Sequence, residues 1–240
     1  MIELIGFDGD DTLWHSEGYY QAVHAEFERI LGQYVDLADA RVHERLLDTE
    51  RRNIQVFGYG VKSMTLSMLE TAIALTDERI STRDLHRFLE LGKEVLAHPV
   101  ELLPGIREAV EAVAREFRLV LITKGDLFHQ EGKVARSGLA DIFQRIEIVS
   151  EKNEPTYRRV LGEFALQPVQ FGMVGNSLRS DIEPVVDLGG WGVYMPYHVT
   201  WAHEAETSFK IDNPRLLQIA SASEIPAALA TLAARALTAA

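Results

Sequence analysis

The chain reads as an α/β protein, a doubly wound parallel sheet interrupted by an all-helical insertion. Three observations lead there. Apolar runs of strand length recur along the chain. Amphipathic helical stretches separate most of them. One long interval, residues 17–98, carries helical patterns only. Alternation of strand and helix implies parallel strands joined by right-handed crossovers.

The elements follow in order. Residues 2–7, IELIGF, are the first run, and its near-continuous apolar character suits a strand buried on both faces. The helical interval then brings four amphipathic stretches. Ser81 or Thr82 is placed to cap the last of them, with Asp84 in its first turn. Pro99 and then Leu103-Pro104-Gly105 mark the return to the alternating pattern. A helix follows with Ile106, Val110, Val113 and Phe117 at helical spacing. Further strands are read at 119–123 (LVLIT), 146–149 (IEIV), 171–175 (FGMVG) and 192–196 (GVYMP). The stretch LRSDIEPVVDLG is helical, with Pro184 at a start or kink. An alanine-rich segment, IPAALATLAARALTAA, closes the chain as a docking or frayed helix.

Composition narrows the function. The 240 residues fit one core domain plus a smaller insertion, and a 47% hydrophobic share supplies a core. Lys and Arg total 24 against 36 Asp and Glu, a net charge of −12 that repels phosphate backbones and speaks against nucleic acid as a partner. A small anionic substrate is not excluded, because a local site can be positive. No cysteine is present, which removes disulfide and thiolate chemistry. The start of the chain enters a strand with no basic leader, and no apolar run approaches the roughly 18 residues of a membrane helix. The expectation is a soluble, cytoplasmic protein with no membrane partner; nothing in the sequence bears on its oligomeric state.

The first strand ends in a crowd of carboxylates, Asp8, Asp10 and Asp11. Ligands of open α/β sheets bind beyond the carboxyl ends of the strands. Clustered carboxylates repel unless a cation offsets them, and a hard divalent ion such as Mg²⁺ takes oxygen ligands. A solvated turn or a helix cap would explain the cluster without chemistry. Other strand ends weigh against that. Thr123 ends the second strand, where its hydroxyl and the following N–H groups can hold phosphate oxygens. Lys152 follows the third. Asn176 and Asp181, both oxygen donors, follow the fourth.

These four stretches, in this order, resemble the haloacid dehalogenase (HAD) superfamily, in particular its phosphatase-type members with a helical cap. The matching motifs are Asp8-Gly9-Asp10-Asp11-Thr12, the strand ending at Thr123, Lys152-Asn153-Glu154-Pro155, and Gly175-Asn176-Ser177 with Asp181. The resemblance implies a Rossmann-like catalytic core over 1–16 and 99–240 and a helical cap over 17–98. It implies Mg²⁺-dependent hydrolysis of a small phosphorylated metabolite. Asp8 would be the nucleophile and Asp10 the general acid and base. Thr123 and Lys152 would hold the phosphoryl group. Asp8, Asp10 through its carbonyl, Asn176 and Asp181 would serve the metal. Asn176 departs from the usual aspartate and brings no charge. Asp11 is read as a solvated or helix-capping acid. Two rivals share the fold: a dehalogenase, which lacks the second aspartate, and a phosphotransferase or mutase, which shares every motif. A non-enzymatic protein on the same fold is a third.

Substrate selection is expected from the cap and the rim. VFGYGVKS is its most loop-like stretch, where Tyr59 and Lys62 are candidates beside the reading of an ordinary helix connection. Lys124, next to Thr123, is a further candidate. His198, Trp201, His203 and Glu204 follow the fifth strand and are read chiefly as a packed rim loop. His15 is expected to be structural.

Overall fold

A computed structural model of the chain describes residues 1–199 and 209–238. The strands are β1 (Leu4–Phe7), β2 (Arg118–Lys124), β3 (Arg145–Val149), β4 (Phe171–Gly175), β5 (Trp191–Tyr194) and β6 (Leu216–Gln218). They form one sheet in the order β3-β2-β1-β4-β5-β6, and every pair is parallel. β1 lies at the centre, paired with β2 and β4, and all four of its residues are buried. That explains its continuous apolar run. The five strands expected from the sequence form, with ends shifted by up to two residues. β6 has no counterpart in the sequence pattern, because three residues cannot establish a period.

The chain divides into two compact units. The first comprises Met1–Glu17, Val100–Lys124 and Gln130–Ala240, and contains the whole sheet. α5 (Ile106–Ala114) and α9 (Ile225–Thr238) pack on one of its apolar clusters, with Ile106, Val110, Ile225, Leu229 and Leu232 buried. The alanine-rich C-terminal segment is therefore a docked helix. α7 (Glu154–Glu163) contributes Tyr157, Val160 and Leu161 to another cluster. α8 (Glu183–Asp187) opens with Pro184 in its first turn, where the missing N–H costs nothing.

The second unit comprises Gly18–Pro99 and Gly125–His129. Its helices are α1 (Glu17–Leu31, from its second residue on), α2 (Val42–Phe57), α3 (Val61–Leu75) and α4 (Thr82–Ala97). They enclose their own apolar core of Phe27, Leu31, Leu46, Met68 and Phe88. Ser81 caps α4: its hydroxyl accepts from the Asp84 N–H at 3.1 Å and donates to Asp84 Oδ2 at 2.8 Å. α6 (Leu127–Ser137) begins in this segment and continues into the first unit. Among the described residues no helix is long and apolar enough to cross a membrane.

Ser81→Ala should lower the unfolding free energy by about 1 kcal/mol, the usual worth of such a cap. Urea denaturation measures this, and an unchanged midpoint would show that Asp84 or the neighbouring backbone makes the cap redundant.

Candidate active site

Four parallel strands deliver their carboxyl ends to one region of the first unit. Asp8 directly follows β1, and its own N–H continues the sheet by bonding the Val174 carbonyl at 2.9 Å. The chain then folds into a tight turn, in which the Gly9 carbonyl accepts from the N–H of Leu13 at 2.8 Å. Gly9 is needed there: a Cβ would stand 2.8 Å from the Trp14 ring and 3.1 Å from Thr123 Oγ1. Asp11 takes a left-handed conformation, φ 62°, which Asp tolerates better than most residues. Its carboxylate accepts from the Ser16 N–H at 2.8 Å and the Glu17 N–H at 3.0 Å, at the start of α1. Asp11 is thus a helix-capping acid. Burial and then the neighbouring Asp10 push its carboxyl up to about 7, against the pull of those two N–H groups.

Lys152 stands at the centre of the charge pattern. Asn153 caps α7 through the Thr156 N–H at 3.1 Å and so fixes where the lysine leaves the loop. The Lys152 ammonium, buried, is ion-paired with Asp8 Oδ1 and lies 2.7 Å from Asp181 Oδ1. Desolvation alone would lower its pKa, but Asp181 and Asp8 more than offset that and hold it above the usual lysine range. Asp181 is fixed a second time by the Ser177 N–H, 3.0 Å from its Oδ2. Gly175 makes room for it, since a Cβ there would meet Asp181 Oδ2 at 2.2 Å. One ammonium between two buried carboxylates leaves the group a positive charge short. Asp8 shows the deficit: burial pushes its carboxyl up to about 7, beyond what Lys152 restores, and Asp181 adds to the shift.

Asn176 addresses that deficit. With its amide nitrogen turned inward it donates to Asp8 Oδ2 at 3.1 Å, Thr12 Oγ1 at 3.3 Å and the Asp10 carbonyl at 3.3 Å. With its oxygen inward, the same distances bring it against the oxygens of Asp8 and Asp10 with no proton between, an arrangement that calls for a cation. Octahedral Mg²⁺ binds oxygens at about 2.1 Å, which puts neighbouring ligands about 3 Å apart. The oxygens of Asp8, Asp10 and Asn176 therefore fit a small divalent cation. Asp181 accepts from Lys152 through Oδ1 and from the Ser177 N–H through Oδ2, one donor on each oxygen, and is tied to the set through Lys152. Among the described residues no group of three or more acidic or histidine side chains that could hold a metal ion forms.

The Asp10 side chain turns to other partners. Lys133 Nζ lies 2.6 Å from its Oδ1 and 2.8 Å from its Oδ2; Trp14 Nε1 lies 2.6 Å from Oδ1; Gln130 Nε2 lies 3.0 Å from Oδ2. Desolvation pushes the Asp10 carboxyl up, but Lys133 and the hydrogen bonds from Lys133, Trp14 and Gln130 outweigh it and hold it below the ordinary value. Gln130 also donates to Thr123 Oγ1 at 2.8 Å. A hydroxyl that accepts in this way keeps its own hydrogen for another acceptor, such as a phosphoryl oxygen.

Asp8, Asp10, Thr123, Lys152, Asn176 and Asp181 thus come together. Lys124 donates to Ser180 Oγ at 3.3 Å. Tyr59 and Lys62 belong to the helical unit, where the exposed Lys62 pairs with Asp126 at 3.0 Å. His15 bonds the Tyr197 hydroxyl at 2.7 Å, a structural contact. The His198 ring lies 4.1 Å from that of Tyr197 at a tilted angle of 46°, while Trp201, His203 and Glu204 lie outside the described residues. Sequence reasoning missed Trp14, Gln130 and Lys133. The one available signal was that Gln130 and Lys133, three apart, share a face of the helix that follows Thr123.

The chain is similar in sequence and fold to known proteins. The haloacid dehalogenase-like hydrolase family matches residues 2–189. The crystal structure of a haloacid dehalogenase-like family hydrolase from Xanthomonas campestris is 53% identical, covering 100% of this chain and 95% of that one, with a TM-score of 0.90. A 2-haloacid dehalogenase from Pseudomonas syringae pv. Tomato DC3000 is 20% identical, with 96% and 99% covered and a TM-score of 0.62. A predicted phosphoglycolate phosphatase from Haemophilus somnus 129pt is 18% identical, with 85% and 91% covered and a TM-score of 0.54. The last two speak to the fold alone. No curated protein matches the chain.

Lys152→Met should destabilise the metal-free protein by roughly 3–5 kcal/mol, because it strands two buried carboxylates. Adding Asp181→Asn to it should recover part of the loss. Urea denaturation at neutral pH measures both, and a cost under about 1 kcal/mol for Lys152→Met would mean that the carboxylates have other compensation.

Proposed function

Because the chain belongs to the haloacid dehalogenase-like hydrolases, we propose that this site hydrolyses a small phosphate monoester through a phosphorylated Asp8. The observation that carries the reading is Asp10, a second carboxylate two residues from the nucleophile and joined through Gln130 to Thr123. Displacing a halide from carbon needs no proton at the leaving atom. Expelling an alkoxide from phosphorus does.

In the first step the Asp8 carboxylate attacks phosphorus. The ester P–O bond breaks as the Asp8–P bond forms, and the leaving oxygen takes a proton from Asp10. That carboxyl must be protonated when the anionic substrate binds, because Lys133 favours its carboxylate in the free protein. Thr123 donates its hydroxyl hydrogen to a phosphoryl oxygen, and the Lys152 ammonium offsets the charge gathered around Asp8. In the second step Asp10, now ionised, accepts a proton from water. The water oxygen attacks phosphorus and the bond to Asp8 breaks, releasing phosphate and restoring both aspartates. A divalent cation held by the Asp8 carboxylate, the Asp10 carbonyl and Asn176 would screen the nucleophile from the anionic substrate. Asn176 supplies no charge to that site, so weaker cation binding is expected than with an aspartate in its place.

Asp8→Asn should abolish hydrolysis of a phosphate ester, and Asp10→Asn should lower kcat by roughly 10²–10⁴-fold. EDTA should abolish turnover and added Mg²⁺ restore it. Full activity in the chelated protein, or halide release from a 2-haloalkanoate, would instead favour the dehalogenase chemistry that this fold also supports. Transfer of phosphate to a second alcohol faster than to water would favour a phosphotransferase or mutase.

A further inference from the structure

Asp10 has more partners than a freely acting acid or base would tolerate. A carboxylate offers about four lone-pair directions, two on each oxygen. Lys133 and Trp14 fill both on Oδ1, at 2.6 Å each. Lys133 at 2.8 Å and Gln130 at 3.0 Å face Oδ2. All three donors are themselves packed away: Trp14 is 1%, Gln130 2% and Lys133 7% exposed. A surface lysine pairs loosely, but these side chains hold their geometry.

The two oxygens are not equivalent. The Gln130 amide has two hydrogens and three acceptors: Thr123 Oγ1 at 2.8 Å, the Lys124 carbonyl at 2.9 Å and Asp10 Oδ2 at 3.0 Å. One acceptor must go short at any moment, and the longest contact is the one to Asp10. Oδ1 is held by a charged donor and a ring N–H that have few competing acceptors. Oδ2 has the longer Lys133 contact and a Gln130 hydrogen contested by two other acceptors, so it is the less tightly held oxygen.

We infer that Lys133, Trp14 and Gln130 are positioning residues that anchor Asp10 through Oδ1 and leave Oδ2 to carry the proton, an inference that rests on the phosphate-ester reading. Gln130 does a second thing. By donating to Thr123 Oγ1 it directs that hydroxyl's hydrogen away from itself, so one amide aligns both the group that holds phosphate and the group that moves the proton. None of the three exchanges the proton or forms a bond to the substrate; they act through Asp10, with Lys133 and Gln130 lying against its Oδ2.

Leaving-group dependence separates this role from a merely structural one. A 4-nitrophenyl leaving group departs without a proton, whereas a simple alkoxide does not. Lys133→Met, Trp14→Phe and Gln130→Leu should each lower kcat on an unactivated alkyl phosphate at least about ten-fold more than on 4-nitrophenyl phosphate, with KM on both within about two-fold of wild type. On an Asp10→Asn background the same substitutions should add little, because the group they position is gone. Should Lys133→Met fail to fold, Trp14→Phe keeps the ion pair and removes a single donor, so it carries the test alone. Equal proportional losses on the two esters, or losses confined to KM, would overturn the inference while leaving the phosphatase reading in place. A wild-type protein inactive on both esters overturns the phosphatase reading, and this inference with it.

Discussion

Two buried carboxylates, Asp8 and Asp181, share one buried ammonium, Lys152. Burying a charge without a partner costs several kcal/mol, so this triad constrains everything around it. It requires Lys152 to arrive from the end of β3, which the Asn153 cap of α7 arranges. It requires a glycine at 175, because Asp181 lies where a Cβ would stand. It also leaves Asp8 undercompensated, its carboxyl raised to about 7 by burial and by Asp181 against Lys152. The Asn176 amide and the Asp10 carbonyl sit where a cation or an N–H donor can make up the difference. A site built on a charge deficit is suited to holding a nucleophilic carboxylate and a cation together.

A second, separate balance governs Asp10. There one carboxylate meets one ammonium, Lys133, with two neutral donors besides. That carboxyl is held below its usual range although burial pushes it up, whereas Asp8 is raised. Two aspartates two residues apart are thus driven in opposite directions by their partners in the metal-free, substrate-free protein. The proposed roles need a cation to lower Asp8 and an anionic phosphoryl group to raise Asp10. The sheet makes this possible: Asp8 stays on the strand axis while the Gly9 turn swings Asp10 toward α6.

Much of this was legible in the sequence, for identifiable reasons. Central strands such as β1 and β4 are buried on both faces and announce themselves as apolar runs. Asp8, Thr123, Lys152 and Asn176 stand at or just after strand ends, where a polar or charged residue following such a run has few structural explanations. Asp11, read as a solvated or helix-capping acid, proves to be the latter, accepting from the Ser16 and Glu17 N–H groups. The partners of Asp10 were not. Gln130 and Lys133 sit on an amphipathic helix, where polar residues ordinarily face water, and nothing local shows that Lys133 is buried against a carboxylate 123 residues away. Trp14 reads as an apolar core residue, and its ring N–H bond to Asp10 depends on a turn that pattern alone does not resolve. Lys62 looked available for a ligand, but its pairing with Asp126 depends on a contact across 64 residues.

The covalent state of Asp8 during turnover bears most directly on what the site does. The protein would be mixed with a phosphate ester, quenched in acid within a turnover, digested, and the peptide carrying Asp8 weighed by mass spectrometry. A parallel sample would receive a 2-haloalkanoate. Phosphate on Asp8 in the first sample and an unmodified peptide in the second is the result expected here. An alkyl ester on Asp8 in the second sample, with no phosphate in the first, would contradict it and assign the same carboxylate to attack on carbon.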